Sequence, residues 1–487
     1  MSIAINLITD IRKKIIKSEF ANQKSTSAFL NNNFSDNNLN FNLILKQFLF
    51  SILITRKFNE NLLLSKNKKF SMPLPEEWEV ILKKYNINVS CFAKIKFNIL
   101  KIKYIVKGFL TLFKALSEKN KNIEKFIYLF NSSLQSNIEH KHNFFLWLKN
   151  FLKTEKLNVV TNNNIDQISL NKISITKKNI FVINEKKFFL KIIFFYFKFL
   201  NEFIFKFNDI LFLSDEILKL YIIKNNKIEP EKVYLDHSEA LYKPLWIYEY
   251  EKKNIPCIVF FYSTNSIPIT INSDLADNFE NMISHGWELY SWNNYYVWDH
   301  HQKNFLDKVM IKKKFKCEIV GPIPYENYRF KKFEKINKKI LSIFDVSPFN
   351  PNFYNTLGLP FSYYNFENVK SFYKKILNND LSDYDIVIKV KRINDNTDKN
   401  YIRLLDEIKK DYKVCENLSP FEIVEYSDKI VCMPFTSPAL IAKKMNKNAV
   451  FFDPTKKLIY LNKFESFTHE IPLLDEQSLQ KWIIYNE

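Results

Sequence analysis

Residues Ser427–Thr455 read SDKIVCMPFTSPALIAKKMNKNAVFFDPT, and this stretch decides the fold. Lys429–Met433 has the length and apolar content of a buried strand. Pro434 ends it, Thr436 or Ser437 offers a helix N-cap, and Pro438 suits the first helical turn, so Ser437–Met445 reads as a helix. Ala449–Phe452 is a second buried strand, closed by Asp453-Pro454-Thr455. A strand, a helix and a strand on loops this short form a parallel β-α-β unit. The helix start brings backbone N–H groups, the positive end of a dipole and two hydroxyls to a strand's carboxyl end, which suits a phosphate. Thr-Ser-Pro also caps ordinary helices, so the local sequence leaves both readings open.

The same alternation continues toward the N-terminus. Phe366–Leu377, Tyr401–Lys410 and Pro420–Tyr426 read as helices, and Glu318–Val320, Ile340–Val346 and Ile386–Val390 as strands. Farther back, strands Val233–Leu235 and Ile258–Tyr262 bracket a helix over Leu241–Lys253 with Pro244 in its first turn. This regularity predicts doubly wound parallel sheets, whose ligands sit at the carboxyl ends of the strands. Residues 264–300 read as a loop- and aromatic-rich linker. Residues 1–230 read as mainly helical, with Asn-rich breaks at Asn31–Asn33, Asn37-Asn38 and Asn162–Asn164, and with Phe181–Asn184 and Ile210–Leu213 as strand candidates. Phe188–Leu200 (FFLKIIFFYFKFL) is the most apolar run; Lys191 and Lys198 interrupt it, and it falls short of the roughly 20 residues a bilayer span needs. It reads as a buried helix or strand, with an interfacial helix as the alternative.

Charge divides the chain. Lys+Arg outnumber Asp+Glu by 37 to 18 in residues 1–230 but only by 35 to 34 beyond them, within a net charge of +20 over 487 residues. The basic half suits an anionic partner, although Lys, Asn, Ile and Phe are also what an AT-rich genome supplies. With 46% hydrophobic residues the chain can bury a large core. Its four glycines (Gly108, Gly286, Gly321, Gly358) exclude a Walker A loop and a GxGxxG fingerprint, leaving a helix N-terminus and side chains to hold any phosphate. Five scattered cysteines without metal-ligand spacing predict no disulfide frame and no metal site. The first twenty residues, MSIAINLITDIRKKIIKSEF, lack a signal peptide's apolar core, so a cytoplasmic location is expected.

The segment MPFTSPALIAKK followed by FFDPT resembles the polysaccharide biosynthesis family named for its PFTS motif, Pro434-Phe435-Thr436-Ser437 here, and the donor domain of GT-B-class surface-polysaccharide glycosyltransferases. YKPLWIYEYEKKNIPCIVFFYSTN (Tyr242–Asn265), VWDHHQKNFL (Val297–Leu306), IVGPIP (Ile319–Pro324) and IKVKR (Ile388–Arg392) extend the resemblance over roughly residues 233–470. It implies an α/β, GT-B-like fold of two Rossmann-like domains beside a helical, basic N-terminal region. The expected division is a helical region 1–150, an acceptor domain 151–290 and a nucleotide-sugar donor domain 291–487. Residue by residue, Thr436 and Ser437 would hold donor phosphate within Pro434-Phe435, Lys391 and Arg392 would add charge, Asp453 and Thr455 would meet a ribose or sugar hydroxyl, and Gly321 would let backbone approach the ligand. Such enzymes generally work without a bound metal or other cofactor.

The resemblance implies a nucleotide-sugar donor and a glycan or lipid-linked acceptor. One phosphate held by two hydroxyls beside a Lys-Arg pair leans toward a CMP-activated acidic sugar; UDP and GDP donors fit almost as well. An inverting transfer also needs a base, and Asp236, His237 and Glu239 stand together after a strand end, where Asp236 or Ser238 could equally cap the next helix. His300-His301 beside Trp298 and Asp299 is a second candidate pair. An anionic membrane surface is a candidate partner for the basic half, peripheral at the inner face; nucleic acid is not expected, because no known RNA- or DNA-binding module is present. Two competing functions remain: a nucleic-acid- or membrane-binding protein with an α/β accessory domain, and an inactive scaffold of the same fold.

Overall fold

The computed structural model describes residues 2–20, 29, 33–34, 39–65, 68–117, 125–130, 138–161, 168–170, 172–183, 186–205, 208–226, 228–235, 242–261, 269–271, 286–310, 314–321, 338–350, 362–391, 393–416, 418–460 and 471–485. Among them, helices α1 (Ser2–Lys17), α2 (Phe41–Leu53), α3 (Arg56–Leu64), α4 (Glu76–Lys84) and the 27-residue α5 (Cys91–Ser117) precede the first strand.

The first sheet runs in the order β3-β4-β2-β1-β5-β6-β8-β9. Its strands are β1 (Ile127–Phe130), β2 (Leu157–Thr161), β3 (Ile168–Leu170), β4 (Ile173–Lys177), β5 (Lys232–Leu235), β6 (Cys257–Phe260), β8 (Asn294–Val297) and β9 (Lys316–Ile319). Only β3 is antiparallel to its neighbour. Helices α6 (Ile138–Phe151), α7 (Lys186–Ile204), α8 (Ser214–Asn225), α9 (Leu245–Lys252) and α10 (His300–Val309) lie between its strands in sequence. Counted from β1, with β3 set aside, the strand order is 3-2-1-4-5-6 with β9 added at the edge: the Rossmann order, whose switch point lies between β1 and β5.

The second sheet repeats that order. Its strands β10 (Lys339–Phe344), β11 (Tyr384–Lys389), β12 (Lys413–Cys415), β13 (Lys429–Cys432), β14 (Asn448–Phe452) and β16 (Leu473–Leu474) stand as β12-β11-β10-β13-β14-β16, and every pairing is parallel. This is again 3-2-1-4-5-6, with the switch point between β10 and β13. Helices α11 (Phe366–Leu377), α12 (Lys399–Ile408) and α15 (Glu476–Ile484) bury Phe372, Leu405 and Leu479 on one face with Ile343 and Val431. Helices α13 (Pro420–Tyr426) and α14 (Ser437–Lys444) cover the other face through Phe421, Val424 and Leu440, in a core continuous with the N-terminal helices. A small ribbon, β7 (Ile269–Ile271) against β15 (Leu458–Tyr460), joins the two halves of the chain.

The expected class, two Rossmann-like α/β units with a helical N-terminal region, stands, but the sheets do not divide at 150 and 290. β1 lies inside the stretch read as mainly helical. β8 and β9 extend the first sheet rather than opening the second, so the change of sheet falls between Ile319 and Lys339. The reason is physical. Phe-rich text carries apolar residues at helical and strand spacing alike, and the exposed edge strand β9, followed by Gly321, looks like the start of a new unit. For the same reason Ile210–Leu213 forms a 3-10 turn rather than a strand, and the Phe188–Leu200 run is helical within α7.

Candidate functional site

The carboxyl ends of β10 and β13 meet at the second switch point, with Phe344 level with Cys432 in register. β13 runs into the quoted motif. Pro434 is buried and its carbonyl accepts from Tyr364 Oη at 2.8 Å. Phe435 then takes a left-handed backbone, φ +62°, which reverses the chain, and its ring stacks on Phe451 at 5.0 Å. Pro434 and Phe435 therefore shape the turn. Thr436 has the extended backbone of an N-cap, but its hydroxyl donates to the Met433 carbonyl at 3.0 Å, so α14 begins without a side-chain cap. Thr436 and Ser437 are both half-exposed at the rim of the switch point, and Pro438 follows as expected.

On the other side of β10 stands a cluster the sequence reading missed. Asp345 follows β10 directly and is buried. Its Oδ2 accepts from Tyr373 at 2.6 Å and from the Tyr401 hydroxyl, and its Oδ1 accepts from the Lys391 backbone N–H at 3.3 Å. Burial pushes the carboxyl above the usual Asp range, against the pull of those donors. Ser347 donates to the Lys391 carbonyl at 2.9 Å. The loops after β10 and β11 are thus laced together, which holds the backbone at Lys391 in place. The Lys391 side chain reaches solvent, yet surrounding protein lowers its pKa by desolvation while Asp345 opposes. Lys391 is thus an exposed cation held beside the buried Asp345 carboxylate. Arg392 lies outside the described residues. A carboxylate immediately after an apolar strand, and tyrosines on the apolar faces of two helices, were the available signals.

Asp453 and Thr455 are bonded to each other in the turn after β14. Asp453 is buried and accepts from Tyr363 Oη (2.7 Å), Thr455 N (2.9 Å), Thr455 Oγ1 (2.7 Å) and Leu458 N (2.9 Å). Three of these donors meet Oδ1 and one meets Oδ2, so the carboxylate ties together the turn after β14. Gly321 has φ +79°, and a Cβ there would meet the side chain of Lys444, the last residue of α14, at 3.5 Å (Cε).

Asp236, His237 and Glu239 lie outside the described residues, but both ends of their segment are anchored. β5 ends at Leu235, level with Phe130 at the first switch point. On the far side, Glu216 Oε2 accepts from the Leu245 N–H at 3.2 Å and from Tyr242 Oη at 3.4 Å, fixing the start of α9. The three candidates thus follow the strand end at which a Rossmann sheet takes its ligand. Of the second candidate pair, His300 is exposed and His301 is buried, and Asp299 caps α10 by accepting from Gln302 N at 2.8 Å.

The model of the family described as polysaccharide biosynthesis PFTS motif protein matches residues 190–483. The chain belongs to that family. The match takes in β5 of the first switch point and the whole of the second. No curated protein matches the chain. Among solved structures it is similar to the wall teichoic acid polymerase TagF soaked with CDPG, at 10% identity over 80% of this chain and 85% of that one, TM-score 0.39. It is also similar to UDP-glucose: anthocyanidin 3-O-glucosyltransferase in complex with UDP, at 10% identity over 75% and 90%, TM-score 0.40, and to the glycotransferase of kitacinnamycin, at 7% identity over 75% and 90%, TM-score 0.39.

Proposed function

We propose that the protein is a glycosyltransferase that moves a sugar from a nucleotide-activated donor to a glycan or lipid-linked acceptor, building a surface polysaccharide such as a capsule or O-antigen. The observation that carries this reading is the position of the family's own motif: Thr436 and Ser437 open α14 at the carboxyl end of β13, beside the switch point of a 3-2-1-4-5-6 sheet. The donor phosphate sits at this helix start, with Lys391 and Arg392 from the β11 end supplying positive charge as the leaving group departs. The Lys391 and Arg392 charges and the paired hydroxyls favour a single phosphate and an acidic sugar, hence a CMP-activated donor. The acceptor binds over the first sheet, where Asp236, His237 or Glu239, following β5, takes the proton from the attacking hydroxyl. The reaction faces the cytoplasm.

Calorimetric titration with CMP, UDP and GDP tests the reading. CMP is expected to bind most tightly, and Lys391→Met to weaken it roughly tenfold through the lost charge-assisted contact. Folded protein that binds none of the three nucleotides ends the proposal. Tight UDP or GDP binding in place of CMP keeps the enzyme and discards the acidic donor.

A further inference from the structure

Helix α5 is apolar on two faces. One face is buried, through Phe97, Ile105, Leu112 and Ala115 among others. The other carries Ile95, Ile99, Ile102, Val106, Leu110 and Phe113, each between 48% and 64% exposed. Their spacing of three or four residues makes one continuous stripe along about five turns. Helix α7 lies against α5: a Cβ on Gly108 would meet Tyr196 Oη at 2.0 Å, Tyr196 donates to the Ile105 carbonyl at 3.0 Å, and the rings of Phe109 and Phe197 stand 6.0 Å apart. Its own exposed residues, Leu190, Phe194 and Phe197, extend the stripe into a two-helix surface. Isolated exposed apolar residues need no explanation, but a contiguous patch of this length does.

Charge says what covers it. On the helical period Lys96, Lys103, Lys107 and Lys114 line the edge of the α5 stripe, and Lys191 and Lys198 line the outer edge of the α7 stripe; all are exposed. α5 contains no Asp or Glu, and α7 contains only Glu202. A second copy docked through this face would set lysine rows against each other. No helix among the described residues is long and apolar enough to cross a membrane. An apolar stripe between lysine rows, too short and too charged to span, matches a helix pair lying in the headgroup boundary.

We propose that the exposed face of α5 and α7 docks on an anionic lipid bilayer. The side chains of the stripe enter the acyl boundary while the lysines meet lipid phosphates. This surface is separate from the α14 start, so nucleotide affinity does not depend on it.

Co-sedimentation of the full chain with vesicles of phosphatidylglycerol and phosphatidylcholine, and with phosphatidylcholine alone, tests the assignment. The protein is expected to partition onto the anionic vesicles and to be released by salt. The combined variant Ile99→Gln, Val106→Gln, Leu110→Gln and Phe194→Gln is expected to partition roughly a hundredfold more weakly. Lys96→Gln with Lys103→Gln, which spares the Lys107–Asp215 pair (3.2 Å), should weaken it about tenfold, and needs no change in any apolar contact. Undiminished partitioning of both variants, or equal partitioning onto phosphatidylcholine alone, overturns the proposal. So does a lipid-free dimer that the glutamine substitutions disperse.

Discussion

At the switch point of the first sheet, β1 and β5 end in Phe130 and Leu235 above Tyr128 and Trp246, whose rings pack edge to face at 5.8 Å. At that of the second, β10 and β13 are followed at once by Asp345, Ser347 and Thr436. Two sheets with one strand order carry different chemistry where their order reverses. The first presents an aromatic pair beneath its strand ends. The second presents a hydrogen-bonded polar frame around a helix start and a cation. Topology fixes where a ligand lies, and the residues just beyond the strands fix what kind.

The sharpest test of that contrast uses two buried tyrosines. Tyr373 gives its hydroxyl to Asp345, whereas the Tyr128 hydroxyl, fully buried on β1, meets no partner among the described residues. Tyr373→Phe withdraws a donor from a buried carboxylate and should cost about 2 kcal/mol. Tyr128→Phe removes an unsatisfied polar atom and should be neutral or slightly stabilising. Urea denaturation of both variants measures the difference. Equal losses would mean that the second switch point is no more polar a frame than the first.

The second sheet was legible because its segments are short and cleanly bounded. Pro420–Tyr426 and Phe366–Leu377 emerge as helices with the bounds read from sequence, each opened by a capping side chain, Ser419 and Asn365. The first sheet was not: β1, β2 and β4 hide among Phe- and Lys-rich helices, and the pairing of β1 with β5 joins residues about a hundred positions apart, such as Ile127 with Lys232. In the site, the motif's place at a strand end was readable, whereas the hydrogen bonds that hold Asp453 were not. An aspartate at a turn looks the same whether its four acceptor positions face a ligand or its own backbone. Asp345 escaped notice because its partners, Tyr373 and Tyr401, come from two separate helices.

Buried acids extend the contrast to pH. Asp345 has three donors, while Glu288, in the 3-10 turn Trp287–Leu289 of the first half, has an Oε2 with no partner among the described residues. Burial raises the Glu288 pKa to about 7, against the opposing charges of Lys13 and Lys17 on α1. From the ordinary value of 4.5 up to about 7, the folded chain keeps a proton that the unfolded chain releases. Stability therefore falls as pH rises through that window. Glu288→Gln removes the dependence. The variant should match the parent near pH 4 and exceed it by about 1–2 kcal/mol near pH 8, a figure reduced for partial solvent access. Thermal melts across pH decide it; a variant that gains nothing above neutral pH would place the ionised carboxylate in contact with its lysines.

The smallest effect concerns two left-handed positions, one in each half. At the end of β9 the chain uses glycine, Gly321, at φ +79°; within the motif it uses Phe435 at φ +62°. An L-residue there bears roughly 1–2 kcal/mol of strain from its Cβ, which glycine avoids. Phe435 offsets the strain by stacking on Phe451, so the side chain and the backbone pull in opposite directions at one residue. Truncation separates them. Phe435→Ala loses the ring and keeps the strain, whereas Phe435→Gly loses the ring and relieves it. The usual ranking, in which alanine is the more stable by about 0.5–1 kcal/mol in regular structure, should therefore invert, with the glycine variant the more stable by about 1 kcal/mol. Denaturation midpoints of the two variants measure this directly. An alanine variant that is the more stable would mean that the turn relaxes out of the left-handed region once the ring is gone, and that the stacking of Phe435 on Phe451 is what holds the PFTS turn in its shape.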